Sequence, residues 1–477
     1  MNRTQAHAVS VLAALLAAAP GMLRAEPTHV YRFDEPPPAA RPQHAQVQVV
    51  SDPAPAAGDG CLRVTPQQGK KALLVLDVPE GVDMARQSAL AFHLRLSPEA
   101  KRARLRWYAV DGENRVIFQR RALPKASGEW ARIVLPLQDW RWGNQFVGDW
   151  SEVRKLALQV ESDTGTFALD ELRIEPGTRG AASAVPDQAW YLDLAFGDRP
   201  YRQVSKGDVL VATDATGKLS EQDLAAIRAR LARIRKWVRR AFGDACRPVL
   251  KGQPVVLLIF ADKPHYSGFF EALAQRWLAT IRPTHAGGYT VQDICASTYG
   301  PAHGSDRPVW FHEGVHCMVT RELRLLTGVA EHAWMHEGLA NYLQLCVYPE
   351  SMDRSHYVRN FREGVGQKTF FRPLRQVMTE RVSGKRYAQV ASLVAFLLEE
   401  HPDWLRALAS GLADGKPVGQ ILKACGTDFD KLQADWLAWG RKHFAPDANP
   451  PAGPGTHFNL PPEFAESPPP KPVGPHP

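Results

Sequence analysis

The chain has 477 residues, 44% of them hydrophobic and 23% charged, with a formal net charge of +8. That balance excludes a disordered or fibrous chain and leaves room for two domains with a core in each. Its lysines and arginines are spread along the chain, so the positive charge fits contact with an anionic envelope surface and gives no ground for a nucleic-acid partner.

At the N-terminus Arg3 precedes the apolar run AVSVLAALLAAAPGML, which is too short for a membrane span and ends in small residues around RAEP. Residues 1–25 therefore read as a secretory signal cleaved near Ala25, and a secreted or periplasmic location is expected. No later stretch is long and apolar enough to form a transmembrane segment. The six cysteines, Cys61, Cys246, Cys295, Cys317, Cys346 and Cys425, lie far apart without a CxxC, which allows one or two disulfides and fixes no pairing.

From 27 to 176 the chain is a series of short alternating runs, CLRVT, ALLVLDV, LAFHLRL, RLRWYAV, RVIFQRR, ARIVLPL, KLALQV and FALDELRI, punctuated by turn signals such as Asp111-Gly112. This rhythm predicts an antiparallel β-sandwich. The order of the last three runs resembles the closing strands of the galactose-binding-like jelly rolls of many carbohydrate-binding modules. That resemblance implies a glycan partner, with Trp107, Trp130, Trp140, Trp142 and Trp150 as sugar platforms against the alternative of core or loop anchors. It also nominates Asp170 or Glu171 for a structural calcium.

Residues 177–188, beginning GTRGAASAV, read as a linker, and 189–445 as a second domain. GDVLVATDA predicts a strand. The segment SEQDLAAIRARLARIRKWVRRAFG predicts a helix with a capping-box start at Ser220 and Asp223, an apolar stripe from Leu224 to Val238, and its arginines on a solvated face. QPVVLLIFA predicts a buried strand, YSGFFEALAQRWLATI a helix, and GGYTVQDICASTYG a third strand able to pair with an extended peptide. Beyond it the pattern is helical to GRKHF, and the proline-dominated segment 446–477 is expected to be a disordered tail.

The helix WFHEGVHCMVTREL carries His312 and His316 four residues apart, hence on one face, with Glu313 beside them. Two imidazoles on one face suit a zinc ion, and a neighbouring carboxylate suits a proton acceptor; a catalytic site needs a third ligand from elsewhere. Twenty residues on comes AWMHEGLANYLQL. An HExxH helix followed by this W-x-x-E-G-L-A-x-Y helix resembles the gluzincin zinc peptidases of the peptidase-MA-like type, related to thermolysin and the aminopeptidases. The resemblance covers about 205–445 and implies an α+β zincin-type metallopeptidase domain with a mainly helical C-terminal half. It implies His312, His316 and Glu337 as Zn2+ ligands, Glu313 as general base, Tyr387 as stabiliser of the transition state, and a peptide or protein substrate.

His332 and His336, also four apart, offer a competing third-ligand set. Glu337 is turned about 100° from His336 on a helix, so the two choices exclude each other, and adding both histidines would close the shell to water. Glu337 is preferred because Gly338-Leu339-Ala340 would let two helices approach, with His332 and His336 directed to solvent or neighbouring loops. Asn341, one turn after Glu337, falls where a partner for a ligand histidine belongs. Gly314 inside the zinc helix costs about 1 kcal/mol of helix propensity. Cys317 and Cys346 are rotated off the metal-facing side of their helices. The expected activity is that of an exported zinc metallopeptidase, a hydrolase; the alternative is a catalytically weak or inactive zincin-like protein that binds glycan.

Overall fold

The computed structural model describes residues 29–31, 33, 41–43, 45–50, 60–67, 70–100, 104–122, 128–161, 165–176, 184, 186–249, 253–279, 281, 287–299, 308–349, 351–365, 367, 370–444 and 461–465. The expected signal segment, 1–25, lies outside them, as do most of the expected linker and tail.

The N-terminal part is a two-layer β-sandwich. Its strands are β1 (His29–Tyr31), β2 (Arg41–Gln43), β3 (Ala45–Val50), β4 (Cys61–Pro66), β5 (Ala72–Asp77), β6 (Gln87–Leu96), β7 (Arg104–Asp111), β8 (Val116–Ala122), β9 (Ala131–Pro136), β10 (Arg141–Trp142), β11 (Val153–Glu161) and β12 (Phe167–Pro176). One sheet runs β3-β4-β12-β6-β9 with β1 also on β12; the other runs β10-β8-β7-β11-β5-β2. All pairings within them are antiparallel. Alternation places Leu105, Trp107 and Ala109 of β7 in the core with Leu156, Leu158 and Val160 of β11, facing Leu90, Phe92 and Leu94 of β6. The Asp111-Gly112 turn forms as expected, with the Asp111 carboxylate accepting from the backbone N–H of Glu113 and Arg115.

The tryptophans do not form a sugar platform. Trp107, Trp140, Trp142 and Trp150 are at most 4% exposed, and Trp150 stacks on Phe118 at 4.1 Å. Trp130 is half-buried beneath the Arg95 guanidinium. Glu171 occupies a left-handed position (φ 48°) at a bulge in β12, where its carboxylate is taken up by Arg173 and lies 3.5 Å from His93; Asp170 accepts from the Glu171 N–H.

The second domain opens with α1 (Gln188–Phe196), β13 (Arg202–Lys206), β14 (Val209–Thr213), α2 (Glu221–Phe242), β15 (Val255–Phe260), α3 (Lys263–Arg276), β16 (Gly288–Val291) and β17 (Ile294–Thr298). Its five strands lie in the order β13-β14-β15-β17-β16; the central three are parallel, and both edges are antiparallel. The single strand expected at GGYTVQDICASTYG is thus a hairpin, turning at Gln292, which takes φ 57°. The Ser220–Asp223 capping box forms as expected. The arginines of α2 are not all on a solvated face. Arg230 is 5% exposed and stacks over Tyr348, while Arg235 pairs with both Asp208 and Glu322.

Helices then follow: α4 (Val309–Leu323), α5 (Ala330–Val347), α6 (Met352–Val365), α7 (Leu374–Thr379), α8 (Tyr387–Glu400), α9 (Pro402–Ala413), α10 (Val418–Ala424), α11 (Phe429–Phe444) and, in the segment expected to be a disordered tail, α12 (Pro462–Ala465). Phe464 of that last turn is 2% exposed against Phe311, and Glu463 pairs with Arg240 at 2.9 Å. The two domains are packed together: Asp139 of the sandwich accepts from Trp190 and Arg276, and Arg324 reaches Glu152. Among the described residues no helix is long and apolar enough to cross a membrane. The six cysteines are all free.

Candidate metal centre

Helix α4 is buried along almost its whole length, only Val309 and His312 of it being partly exposed, which explains the apolar residues that flank its histidines. Gly314 exists for packing: a Cβ there would lie 2.4 Å from a Leu231 methyl of α2, so the two helices meet at this point. It admits a side chain rather than another backbone. Three ion pairs, one of them from a half-exposed arginine, lock the last turn. Arg321 bonds Asp293 at 2.6 Å, and Glu322, fully buried, receives Arg235 and Arg239 from α2. Arg324 adopts the left-handed conformation that ends the helix.

This frame brings three predicted residues together. The Nε2 atoms of His312 and His316 lie 3.3 and 3.7 Å from one oxygen of Glu337 on α5, and the three ligand atoms are all within 4.8 Å of one another. That Glu337 oxygen, Oε2, is buried and has no hydrogen-bond partner. A tetrahedral shell with bonds of about 2.0–2.1 Å separates neighbouring ligand atoms by about 3.3 Å, so two imidazole nitrogens and a carboxylate oxygen at these spacings fit a zinc ion. Burial works against a charge on His312, yet Glu337 and then Glu313 hold its pKa above the usual range. Burial, followed by the neighbouring His312 and His336, takes His316 well below it.

Of the two directions expected for His332 and His336, solvent or neighbouring loops, the structure shows the second. His332 Nδ1 accepts from the Leu326 N–H and Nε2 donates to Leu412 O; His336 Nε2 donates to Leu325 O. Both are buried in neutral form, with burial lowering them to about 4 and about 3. They serve the Leu325 carbonyl and the Leu326 amide of the loop between α4 and α5, and His332 also reaches the Leu412 carbonyl of α9. The ring of His336 also packs 5.4 Å from His316 and lines the same cleft.

Asn341 does not orient a ligand histidine; its Nδ2 donates to the Glu337 carbonyl one turn back along α5. The partner of His312 is the side chain of Gln344, two turns after Glu337 on the same face. Nor does Gly338 bring α5 to α4. A Cβ there would meet Val394 and the Val390 carbonyl of α8, so the small residue lets α5 lie on α8. Cys317 donates to the Asp293 carbonyl, away from the metal-facing side as expected.

Glu313 turns toward the hairpin. Its Oε2 accepts from the Thr290 hydroxyl at 2.6 Å, and its carbonyl receives the Cys295 thiol. Burial raises its carboxyl to about 7, while His312 and Thr290 pull the other way. At Gly288 a Cβ would stand 2.8 Å from Glu313 Cγ, so only glycine lets the edge strand ride this close to the acid. Tyr387 opens α8 with its ring 6.0 Å from His312 and its hydroxyl in reach of the Glu337 carboxylate. Burial first and Glu337 second push the phenol up, keeping it protonated. All of these side chains face one cleft of about 580 Å³, into which Arg381 and Tyr289 also project. Thr290, Gln344 and Gly288 were missed from sequence. Gln344 alone carried a signal, its seven-residue spacing from Glu337.

No family model and no curated protein matches the chain. Among solved structures it is similar to a family 11 carbohydrate-binding module from Clostridium thermocellum (13% identity, 31% of this chain and 95% of that chain, TM-score 0.26). It is also similar to a CBM22-1 xylan-binding domain from Paenibacillus barcinonensis (16% identity, 31% and 92%, TM-score 0.25) and to an exo-β-agarase (16% identity, 46% and 32%, TM-score 0.28).

Proposed function

We propose that this chain is a zinc-dependent metallopeptidase of the gluzincin type, with His312, His316 and Glu337 as ligands and Glu313 as general base. The observation that carries the reading is the meeting of the three ligand atoms beside a buried carboxylic acid, in a cleft whose opposite wall is an edge strand. When bound, zinc supplies Lewis-acid polarisation of a scissile carbonyl and lowers the pKa of water.

The chain's own residues do the rest. Glu313 takes a proton from the attacking water and returns it to the leaving amine; Thr290 holds the carboxyl in place for both transfers. Tyr387, protonated, donates to the carbonyl oxygen as negative charge develops there. The outer edge of β16 offers backbone N–H and C=O groups to an extended peptide, with Gly288 keeping that backbone close to Glu313. The apolar run at the N-terminus supports work outside the cytoplasm.

Replacing Glu313 with Gln tests the assignment. Peptide cleavage should fall by at least about 1,000-fold, the scale of losing a general base together with its charge, while zinc stays near one per chain. Cleavage at the wild-type rate would overturn it. The alternative, a zincin-like glycan binder without turnover, predicts zinc in both proteins and cleavage in neither.

A further inference from the structure

A second cavity, about 430 Å³, lies on the outer face of the sandwich sheet that contains β7 and β8, far in sequence from the metal ligands. On β7, Arg104, Arg106 and Tyr108 alternate with the buried Leu105, Trp107 and Ala109, so all three project outward. Arg106 stands directly opposite Arg121 of β8 in the register, and Arg141 of β10 extends the row through Gln119.

Two like charges facing each other across a ladder are destabilising, yet none of Arg104, Arg106, Arg121 and Arg141 forms an ion pair with a carboxylate among the described residues. The one acid in the cavity wall, Glu161, pairs with Lys71 at 3.1 Å. The guanidinium of Arg141 is held below its ordinary range by burial first and then by Arg121 and Arg106, so the cluster feels its own repulsion. Between the charges runs a neutral relay: Arg106 donates to the Tyr108 hydroxyl, Tyr108 to Gln159 at 2.5 Å, and Gln159 to Glu161.

We infer that this face binds an acidic polysaccharide, a chain of sugars bearing carboxylates. Guanidinium groups match carboxylates bidentately, and the interleaved amide and phenol groups match sugar hydroxyls. The volume lies within the usual range for small-molecule subsites, about 300–1,000 Å³. A nucleic acid fits less well, because single strands are held by aromatic faces stacked on bases and the tryptophans of this domain are turned into its core or covered. The inference does not depend on the peptidase reading.

Affinity electrophoresis of the full chain through gels containing polygalacturonate tests it, with the carboxyl-reduced neutral polymer as control. Retardation is expected in the acidic gel alone and should weaken with added salt. Arg106→Gln combined with Arg121→Gln should weaken binding by at least about tenfold, the scale of losing charge-assisted hydrogen bonds, with melting temperature and zinc content unchanged. No retardation, equal retardation by the neutral polymer, or full binding by the double variant would overturn the inference. Tighter binding to single-stranded DNA, lost in the same variant, would also overturn it and reassign the face to nucleic acid.

Discussion

Glu322→Gln probes the frame that holds α4 without requiring any activity. The side chain of Glu322 is fully buried one helical turn beyond Met318 and receives Arg235 and Arg239 from α2. Breaking a buried ion pair by removing one partner costs about 3–5 kcal/mol, but the surroundings reduce that figure. Arg239 is half exposed and can return to water, and Arg235 keeps Asp208 as a partner. The amide, moreover, preserves one acceptor oxygen. About 2–3 kcal/mol remains, mostly the cost of a poorly compensated Arg235 guanidinium. Hydrogen exchange of peptides covering 309–323 reads this directly, since local opening free energy sets the exchange rate. An acceleration of about 30- to 150-fold is expected at about 1.4 kcal/mol per decade. Arg239→Ala, which removes the half-exposed partner, should change exchange by less than about fivefold, consistent with a contribution under about 1 kcal/mol. Exchange unchanged in Glu322→Gln, or equal acceleration in both variants, would refute the reasoning.

Metal analysis should find most zinc lost from Glu337→Ala and retained in His332→Ala, because His332 serves Leu326 and Leu412 and not the metal; the reverse pattern would contradict the ligand set. The same histidine gives a pH dependence. Its folded pKa of about 4 lies below the usual 6.5, so the unfolded chain binds the extra proton first as pH falls. Stability is fully present above pH 6.5 and lost between about 6.5 and 4, by about 3 kcal/mol at 1.4 kcal/mol per unit. His332→Gln should flatten that part of a denaturation-versus-pH curve. Phe464→Ala should loosen α4 by about 2–4 kcal/mol through lost packing on Phe311, seen as faster exchange in 309–323; unchanged exchange would show that α12 does not brace the helix.

The site was legible where its chemistry is local. Histidines at i and i+4 must share a face, and both do. Glu337 could be named only through the second helix, because nothing in spacing fixes how two helices meet. Its supporting residues were hidden for the same reason: Thr290 reaches Glu313 from a different strand, and Gln344 is an ordinary helix position until α4 is laid against it. In the sandwich, alternation revealed eight of the nine strands of six or more residues and missed β3, whose Ala45–Val50 side chains are exposed or half-buried. It did not reveal β1 and β2, three residues each, nor, in the second domain, β13, whose Arg202–Lys206 pattern is exposed on both faces. The tryptophans show the limit of composition: the same residue type serves as platform or core, and only the sheet register decides. Likewise Gln292 carries no common turn signal, so one strand was expected where a hairpin forms.

Zinc-dependent peptide cleavage is tested by incubating the purified full chain with a mixed peptide library as isolated, after chelation, and after zinc is restored, and reading the products by mass spectrometry. New termini are expected in the first and third samples and none in the second. Equal cleavage with and without chelator, or no cleavage by protein carrying one zinc per chain, would contradict the proposed activity.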